Sequence, residues 1–171
     1  PLHGGPTGGF SGPEWCNPLA LAIDPDGHAV VGLQRDWAPA IQRAEAGGWR
    51  GDIVDDARLA SVPLAVAVAR DGTIVAAQQE TVAAGRSRTY LALFDAAGQA
   101  LARWDVIDGD LGALNHPVDV AWLADGGALV LDGRAGRVQR LDAAGEVVGG
   151  WGGAGRSGGR LAGPSALAIA P

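Results

Sequence analysis

The sequence predicts an all-β protein that is built from repeated four-stranded units. A phrase of about ten residues recurs in the chain and reads PLALAIDPDG, PLAVAVARDG, PVDVAWLADG and PSALAIAP, starting at Pro18, Pro63, Pro117 and Pro164. The starts are 45, 54 and 47 residues apart, and an Asp-Gly pair follows each of the first three prolines at the same distance. A fixed period in this range indicates a repeat architecture.

The third repeat shows what one unit contains. Four short runs, 118–123, 128–131, 137–141 and 146–151, are separated by turns that are rich in Asp and Gly. Short runs with such boundaries and no helical period are typical of strands. Asp-Gly favours tight hairpin turns because glycine readily adopts a positive φ. One repeat is therefore predicted to be a four-stranded antiparallel meander, which is the blade of a β-propeller.

The second repeat matches the third apart from one insertion. Phe94 and Trp104 are ten residues apart, as are Leu141 and Trp151. The seven-residue excess of the second repeat therefore precedes Phe94, and we place it at Gln79 to Arg88, between the second and third strands.

The first repeat is looser. We expect Ile41 and Trp49 to take the places of Leu141 and Trp151, with a shorter last hairpin. Because Trp recurs at equivalent places, we assign it to packing between blades. The expected boundaries are a tail of a preceding blade at 1–16, blades at about 17–60, 61–114 and 115–162, and the start of a further blade at 163–171.

The third repeat resembles the NHL-repeat family of β-propellers, whose repeat runs roughly P-x-x-V-A, D-G, V-x-D, R-V-x-x-F-D and W-G-x-x-G. The matching residues are Pro117, Val120, Ala121, Asp125, Gly126, Val130, Asp132, Arg137, Val138, Leu141, Asp142, Gly145, Trp151, Gly152 and Gly155. The second repeat departs from the pattern with Gln78 near the place of Asp132. The resemblance implies a six-bladed ring. Related six-bladed propellers include gluconolactonase-like and amidating-lyase enzymes, so the fold alone does not decide the function.

Three blades and one strand would form an open arc with unpaired faces at both ends. The chain begins at Pro1, has no Met and stops one strand into a fourth repeat. We therefore expect it to be part of a longer propeller whose remaining blades are its partners. The alternative is a processed chain that closes by forming oligomers.

Composition excludes several partners. The net charge of −6 argues against a nucleic-acid surface, because binding there depends on neutralising phosphates. No apolar run is long enough to span a membrane. All thirteen basic residues are Arg, which indicates high-GC coding and a bacterial source. We expect a soluble protein, and a secreted or periplasmic location stays open.

The candidate binding residues are expected on one face of the blades. In a four-stranded meander, the link into the first strand and the connection between the second and third strands emerge on the same side, and these segments vary between repeats. Variable loops on a rigid scaffold commonly carry recognition. The candidates are Trp37, Arg86, Arg88, Arg134, Asn115, His116 and Asp119, where Asp119 replaces the Ala of the other repeats.

We expect these residues to bind a protein or a polar small molecule without catalysis. The visible repeats show no nucleophile motif, metal-ligand spacing or paired general acid and base, so no cofactor or metal is expected. Asp132 and Arg137 are assigned to bracing the turn between strands. The alternative is a metal-dependent hydrolase or lyase of the gluconolactonase or amidating-lyase type, to which Asp119, Asn115 and His116 would contribute ligands.

Overall fold

The computed structural model describes residues 16–35, 38–45, 48–55, 59, 61–83, 86–105 and 113–169. These residues form twelve strands. They are β1 (Cys16–Ile23), β2 (Ala29–Arg35), β3 (Pro39–Glu45), β4 (Gly48–Val54), β5 (Pro63–Val68), β6 (Ile74–Ala83), β7 (Arg86–Phe94), β8 (Ala100–Trp104), β9 (Pro117–Trp122), β10 (Ala128–Asp132), β11 (Arg137–Leu141) and β12 (Val147–Gly152). The described part of the chain contains no helix, and so none that could cross a membrane.

The strands form three antiparallel sheets of four in simple meander order, as propeller blades do: blade 1 (β1 to β4), blade 2 (β5 to β8) and blade 3 (β9 to β12). The first strands of neighbouring blades lie side by side, β1 next to β5 and β5 next to β9. Two apolar cores fill the spaces between blades 1 and 2 and between blades 2 and 3. The three sheets do not close into a ring, which confirms the predicted all-β arc of blades.

One turn geometry repeats on one side of all three blades, which we call the turn face. Five glycines there adopt φ values between 78° and 85°, namely Gly27, Gly72, Gly98, Gly126 and Gly145. In each turn the glycine N–H donates to the carbonyl three residues earlier. An aspartate carboxylate also accepts backbone N–H groups, as Asp95 does from Ala97 and Gln99. The Asp and Gly spacing in the sequence therefore encodes these turns.

The register corrects the expected alignment of the first repeat. Ile41 pairs with Val54 in the way that Val138 pairs with Trp151, so Val54 takes the tryptophan place and Ala44 takes the place of Leu141. The prediction that Trp49 takes this place was wrong, and the last hairpin is not shortened. The shorter segment is the link from blade 1 to blade 2. The sequence signal misled because a small aliphatic residue fills a position that is aromatic in the other two blades.

The insertion in the second repeat lies where it was placed, between the second and third strands, but it extends a hairpin. β6 and β7 continue to pair beyond Gln78 and Tyr90, through Gln79 with Thr89 and Glu80 with Arg88. At the same level in blade 3, Asp132 pairs with Arg137 and the chain turns at once. The variable segment of blade 2 is therefore a projecting ribbon.

The start of the fourth repeat lies against blade 3. The backbone N–H of Leu167 donates a hydrogen bond of 2.8 Å to Oδ2 of Asp119 on β9. Residues 164–169 form no strand within the described part of the chain. They nevertheless lie next to the innermost strand of blade 3, which is where the first strand of a further blade would be.

Candidate functional site

The links into the first strands and the connections between the second and third strands meet on one side of the blades, opposite the turn face. We call this side the variable face. In blade 3 the link and the connection are held together by a hydrogen bond of 2.9 Å from the Gly133 N–H to the His116 carbonyl. The Arg137 guanidinium donates to the Ala113 carbonyl at 3.1 Å. The predicted neighbourhood of these two segments is confirmed.

The carboxylate of Asp132 organises this part of the variable face. It is fully buried and accepts hydrogen bonds from four backbone N–H groups. Two belong to the link, Asn115 at 2.8 Å and His116 at 3.3 Å, and two belong to the following turn, Arg134 at 3.2 Å and Ala135 at 2.9 Å. Hydrogen bonds to an ionised acceptor are among the stronger ones in proteins. The bracing role predicted for Asp132 is confirmed, and it fixes the backbone that carries three candidate residues.

A concave cavity lies beside this clamp. Its volume is 620 Å³, and its lining residues come from the ribbon of blade 2, from blade 3 and from the start of the fourth repeat. The lining is Gln79, Asn115, His116, Val118, Gly133, Arg134, Gly163 and Pro164. Asn115, His116 and Arg134 are exposed. The structure therefore brings three of the predicted binding residues together around one cavity.

The polar groups of this cavity favour an anion. Arg134 forms no ion pair with any residue that the structure describes. None of the described residues lining the cavity is acidic, although the whole chain carries a net charge of −6. An arginine guanidinium presents several N–H donors in a fixed fork, which matches a carboxylate or phosphate. The cavity thus offers a cation and hydrogen-bond donors without a competing carboxylate.

A second cavity on the variable face lies between blades 1 and 2. It measures 480 Å³ and is lined by Leu19, Gln34, Arg35, Ala38, Pro39, Ser61, Val62, Leu64 and Gln79. Arg35 is already ion-paired with Asp52. Gln79 lines both cavities, and its amide lies 3.4 Å from the Asn115 carbonyl. Gln79 therefore separates two neighbouring depressions on the same face.

The Asp119 carboxylate accepts hydrogen bonds from two backbone N–H groups. Its Oδ1 accepts the N–H of Val120 at 2.9 Å, and its Oδ2 accepts the N–H of Leu167 at 2.8 Å. A half-buried carboxylate on an inner strand needs such donors. Asp119 does not line the cavity beside Asn115 and His116. The geometry favours a role in holding the start of the fourth repeat to blade 3.

The remaining candidate residues lie away from the cavity or outside the described part of the chain. Arg88 projects from the ribbon and forms an ion pair of 2.6 Å with Asp105. The backbone of Arg86 belongs to β7, but its side chain lies outside what the structure describes, and Trp37 lies outside the described residues altogether. A binding role for these three residues stays a prediction.

Arg88 belongs to a chain of charges along the base of the ribbon. Arg103 contacts Glu80 at 2.9 Å and Asp105 at 3.0 Å, and Asp105 continues to Arg88. The Arg103 guanidinium also lies 3.6 Å from the centre of the Tyr90 ring. Hydrogen bonding from Arg103 lowers the pKa of Glu80, and hydrogen bonding from Arg88 lowers the pKa of Asp105. These contacts tie the ribbon to the end of β8.

Gln78 explains why blade 2 lacks an Asp132-like clamp. Gln78 is fully buried at the matching position, and its Oε1 accepts a hydrogen bond of 2.5 Å from the Tyr90 hydroxyl. In blade 3, Asp132 accepts N–H groups from a tight turn. In blade 2 the ribbon stands in the place of that turn. A neutral amide paired with a phenol therefore replaces a carboxylate that would have lost its turn donors. Burial raises the pKa of Tyr90, which keeps its hydroxyl a donor.

Three side chains on the turn face, Asp24, Asp26 and His28, lie close enough to suggest a metal site. Oδ1 of Asp24 accepts the N–H groups of Asp26 at 3.0 Å and His28 at 2.8 Å, and its Oδ2 lies 3.1 Å from Nε of Arg43. The same pair of backbone hydrogen bonds recurs at Asp142, where no such cluster is found among the described residues. We therefore assign Asp24 to its turn.

Sequence reasoning did not select Gln79 itself, although it lay within the insertion. The available signal was the alignment of the repeats. Gln78 matches Asp132, so Gln79 matches Gly133, which lies at the clamp of blade 3. Selection of charged residues favoured Arg86 and Arg88 further along the ribbon, whereas the cavity lies at the ribbon's base.

Comparison with known proteins informs the fold. No protein-family model and no curated protein matches the chain. A solved structure of a protein of unknown function from Bacteroides caccae is 17% identical in sequence and has a TM-score of 0.52. The match covers 79% of this chain and 46% of the Bacteroides protein. A gluconolactonase from Xanthomonas campestris is 16% identical, with coverages of 76% and 60% and a TM-score of 0.35. The chain spans about half of the first structure and 60% of the second. The first likeness shows a shared fold alone, and the second carries no conclusion.

Proposed function

We propose that this chain is a non-catalytic binding module of the NHL-like, six-bladed propeller type. The ligand would be a polar molecule that carries a carboxylate, either free or on a partner protein. The observation that supports this most directly is the 620 Å³ cavity, where Arg134, Asn115, His116 and Gln79 surround one space. Polar groups that converge on a cavity are the usual basis of ligand recognition.

Preorganisation supports binding at this place. Asp132 holds the backbone of Asn115 and His116 as well as the turn that carries Arg134. Residues held by a rigid second layer lose little conformational entropy when a ligand arrives. Gln79 adds a side-chain amide from the neighbouring blade, so the cavity depends on correct packing of two blades.

The groups around the cavity define separate roles. The Arg134 guanidinium would pair with the ligand carboxylate, and the amides of Asn115 and Gln79 would hydrogen-bond to its remaining polar atoms. The His116 imidazole would add a further hydrogen-bonding group. Val118 and Pro164 also line the cavity and would supply apolar contact, which favours a ligand with a short hydrocarbon portion.

Isothermal titration with succinate and succinamide tests this proposal, because the two molecules have similar size and differ in charge. We expect succinate to bind and succinamide to bind at least about tenfold more weakly, as expected for loss of a charged hydrogen bond. Arg134→Ala should reduce succinate binding to the level of succinamide. Arg140→Ala is the matched control, since Arg140 is an exposed arginine in the same blade that pairs with Asp125 at 2.7 Å on the turn face.

Two results would contradict the proposal. Equal binding of succinate and succinamide would show that the site does not recognise a carboxylate. Unchanged succinate binding in Arg134→Ala would show that succinate binds somewhere other than this cavity. The enzymatic alternative, a metal-dependent hydrolase or lyase using Asp119, Asn115 and His116, has its own outcome. A stoichiometric metal ion in the purified protein, lost in Asp119→Ala and His116→Ala, would replace the binding proposal.

A further inference from the structure

A further cavity lies on the turn face, between the turns that join the first and second strands of blades 2 and 3. We call it the turn-face cavity. Its volume is 570 Å³, which is within the usual range of small-molecule sites. The lining includes Arg70, Asp71, Thr73, Trp122, Leu123 and Ile169. One basic and one acidic residue thus stand in a lining that is otherwise mostly apolar, unlike the cavity of the variable face.

The two charged residues of this cavity are adjacent in the turn between β5 and β6. Arg70 and Asp71 are exposed, and neither forms an ion pair with any residue that the structure describes. The Thr73 N–H donates to Oδ1 of Asp71 at 2.9 Å, and this hydrogen bond lowers the pKa of Asp71, so the carboxylate is charged at neutral pH. Pro25 and Ala124 stand at the place of Arg70 in the other two repeats, so the turn itself does not require a cation there.

Blade 2 lacks the arginine that pairs with a turn carboxylate in the other blades. Asp24 pairs with Arg43 at 3.1 Å in blade 1, and Asp125 pairs with Arg140 at 2.7 Å in blade 3. The two arginines hold the same register position in the third strand of their blades, where blade 2 has Leu93. The carboxylate of the blade 2 turn therefore remains available to a cation from a ligand.

The aromatic residue of the cavity is also particular to one blade. Trp122 ends the first strand of blade 3, and the matching residues of the other repeats are aliphatic: Ile23, Val68 and Ile169. The Trp122 ring meets Trp104 edge to face, with ring centres 5.9 Å apart and an angle of 77° between the planes. This contact holds the half-buried indole in place at the cavity, and aromatic rings pack well against such a surface.

The charges and the apolar surface of the turn-face cavity match one class of molecule. We propose that it binds a zwitterionic α-amino acid that has an aromatic side chain. Arg70 pairs with the carboxylate of the ligand, Asp71 pairs with its ammonium group, and the aromatic ring packs against Trp122 and Ile169. Two adjacent residues of opposite charge suit a ligand whose two charged groups are attached to one carbon. Succinate has a second carboxylate in place of the ammonium group, so it should not bind here.

Isothermal titration with L-phenylalanine and three analogues tests this proposal, because each analogue lacks one of the recognised groups. 3-Phenylpropanoate lacks the ammonium group, phenethylamine lacks the carboxylate, and L-alanine lacks the ring. We expect L-phenylalanine to bind and each analogue to bind at least about tenfold more weakly, because a charged hydrogen bond or the burial of the ring is lost.

Two substitutions place the binding in this cavity. Arg70→Gln removes the cation, and Asp71→Asn removes the negative charge while keeping an oxygen that can accept the Thr73 N–H. Each should weaken L-phenylalanine binding at least about tenfold, whereas Asp71→Asn should not weaken the binding of 3-phenylpropanoate. Asp125→Asn is the matched control, because Asp125 holds the same place in the blade 3 turn, accepts the Gly127 N–H at 3.0 Å and does not line the cavity.

The proposal would be overturned by an analogue that binds as tightly as L-phenylalanine, or by unchanged L-phenylalanine binding in either cavity variant. Equal loss of binding in the control variant would also overturn it, as would no binding of L-phenylalanine to the folded wild-type protein. These outcomes are independent of succinate binding at the variable face.

Discussion

Asp132 and Asn115 are joined by a hydrogen bond of 2.8 Å, in which the backbone N–H of Asn115 donates to Oδ2 of the buried carboxylate. The two residues are 17 positions apart, at the opposite ends of β9 and β10 and their connecting turn. This bond places the link into blade 3 against the turn that carries Arg134. The shape of the candidate cavity therefore depends on one buried acidic residue that does not line it.

Replacing Asp132 with Asn should destabilise the protein and loosen the cavity. An amide offers one acceptor oxygen and turns an NH₂ group toward N–H donors that the carboxylate now accepts. Loss of hydrogen bonds to a buried charged group predicts a decrease of about 2–3 kcal/mol in the free energy of unfolding in urea. The amides of Asn115 and His116 should also exchange faster with deuterium.

Asp142→Asn is the control for this change, because Asp142 accepts two backbone N–H groups through Oδ1 in an exposed turn. We expect a cost below about 1 kcal/mol there, since the Asn oxygen can keep that role. Equal effects of the two substitutions would show that Asp132 has no special place in the fold.

Gly145→Ala should be more destabilising than Gly27→Ala. Both glycines have a φ of 84°, so both substitutions carry the same backbone strain, of about 1–2 kcal/mol. A Cβ at Gly145 would meet the Trp104 ring, whereas no atom of the described residues lies within 4 Å of one at Gly27. Overpacking should add about 1–3 kcal/mol at Gly145, measured by urea unfolding. Equal losses would contradict the contact between the turn of blade 3 and Trp104.

The buried pair of Gln78 and Tyr90 should show strong coupling in a double-mutant cycle. Tyr90→Phe leaves the Gln78 carbonyl without its 2.5 Å donor, which should cost about 1–3 kcal/mol in the free energy of unfolding. Adding Gln78→Leu removes the orphaned amide, so the double variant should be more stable than the sum of the single losses predicts. Simple additivity of the two changes would show that the hydrogen bond contributes nothing.

The charges at the base of the ribbon should make stability depend on pH in the acidic range. The pKa values of Glu80 and Asp105 are lowered in the folded chain, so at acidic pH the unfolded chain binds more protons than the folded chain. The stability from these contacts is therefore present at neutral pH and is lost as the pH falls from about 5 toward 2. For the exposed Glu80–Arg103 pair it amounts to about 0.2–1 kcal/mol.

Arg103→Met tests this dependence, since it removes the cation that contacts both carboxylates. Unfolding in urea at neutral and at acidic pH should show a smaller decrease in stability for the variant than for the wild-type protein. Arg134→Met is the matched control, because Arg134 has no ion pair within the described residues. An identical pH dependence in all three proteins would assign the acid sensitivity to other groups.

Much of the fold follows from the sequence because turns are encoded locally. Asp and Gly at fixed spacing specify the positive-φ turns of the turn face, and these turns set the register of each hairpin. The exception is Val54, whose position depends on packing against the turn at Gly98 and not on residue type. A pattern search for Trp could not find it, because the contact needs only an apolar side chain of suitable size.

The candidate site was predictable only in part. Asn115, His116 and Arg134 were found because topology forces links and connections onto one face. The engagement of Asp119 with Leu167 and of Arg88 with Asp105 depends on contacts between segments 48 and 17 residues apart. Residue type marks such side chains as polar, but only the three-dimensional arrangement shows whether a structural partner already occupies them.

The central claim is that the cavity beside the Asp132 clamp binds a carboxylate. Titration of ¹⁵N-labelled protein with succinate, followed by amide chemical shifts, tests it most directly. We predict shifts concentrated at residues 115–116 and 133–135, absent with succinamide and abolished by Arg134→Ala. Shifts concentrated instead at the 570 Å³ cavity of the turn face, lined by Arg70, Thr73 and Trp122 among others, would contradict the claim, as would no shifts at all.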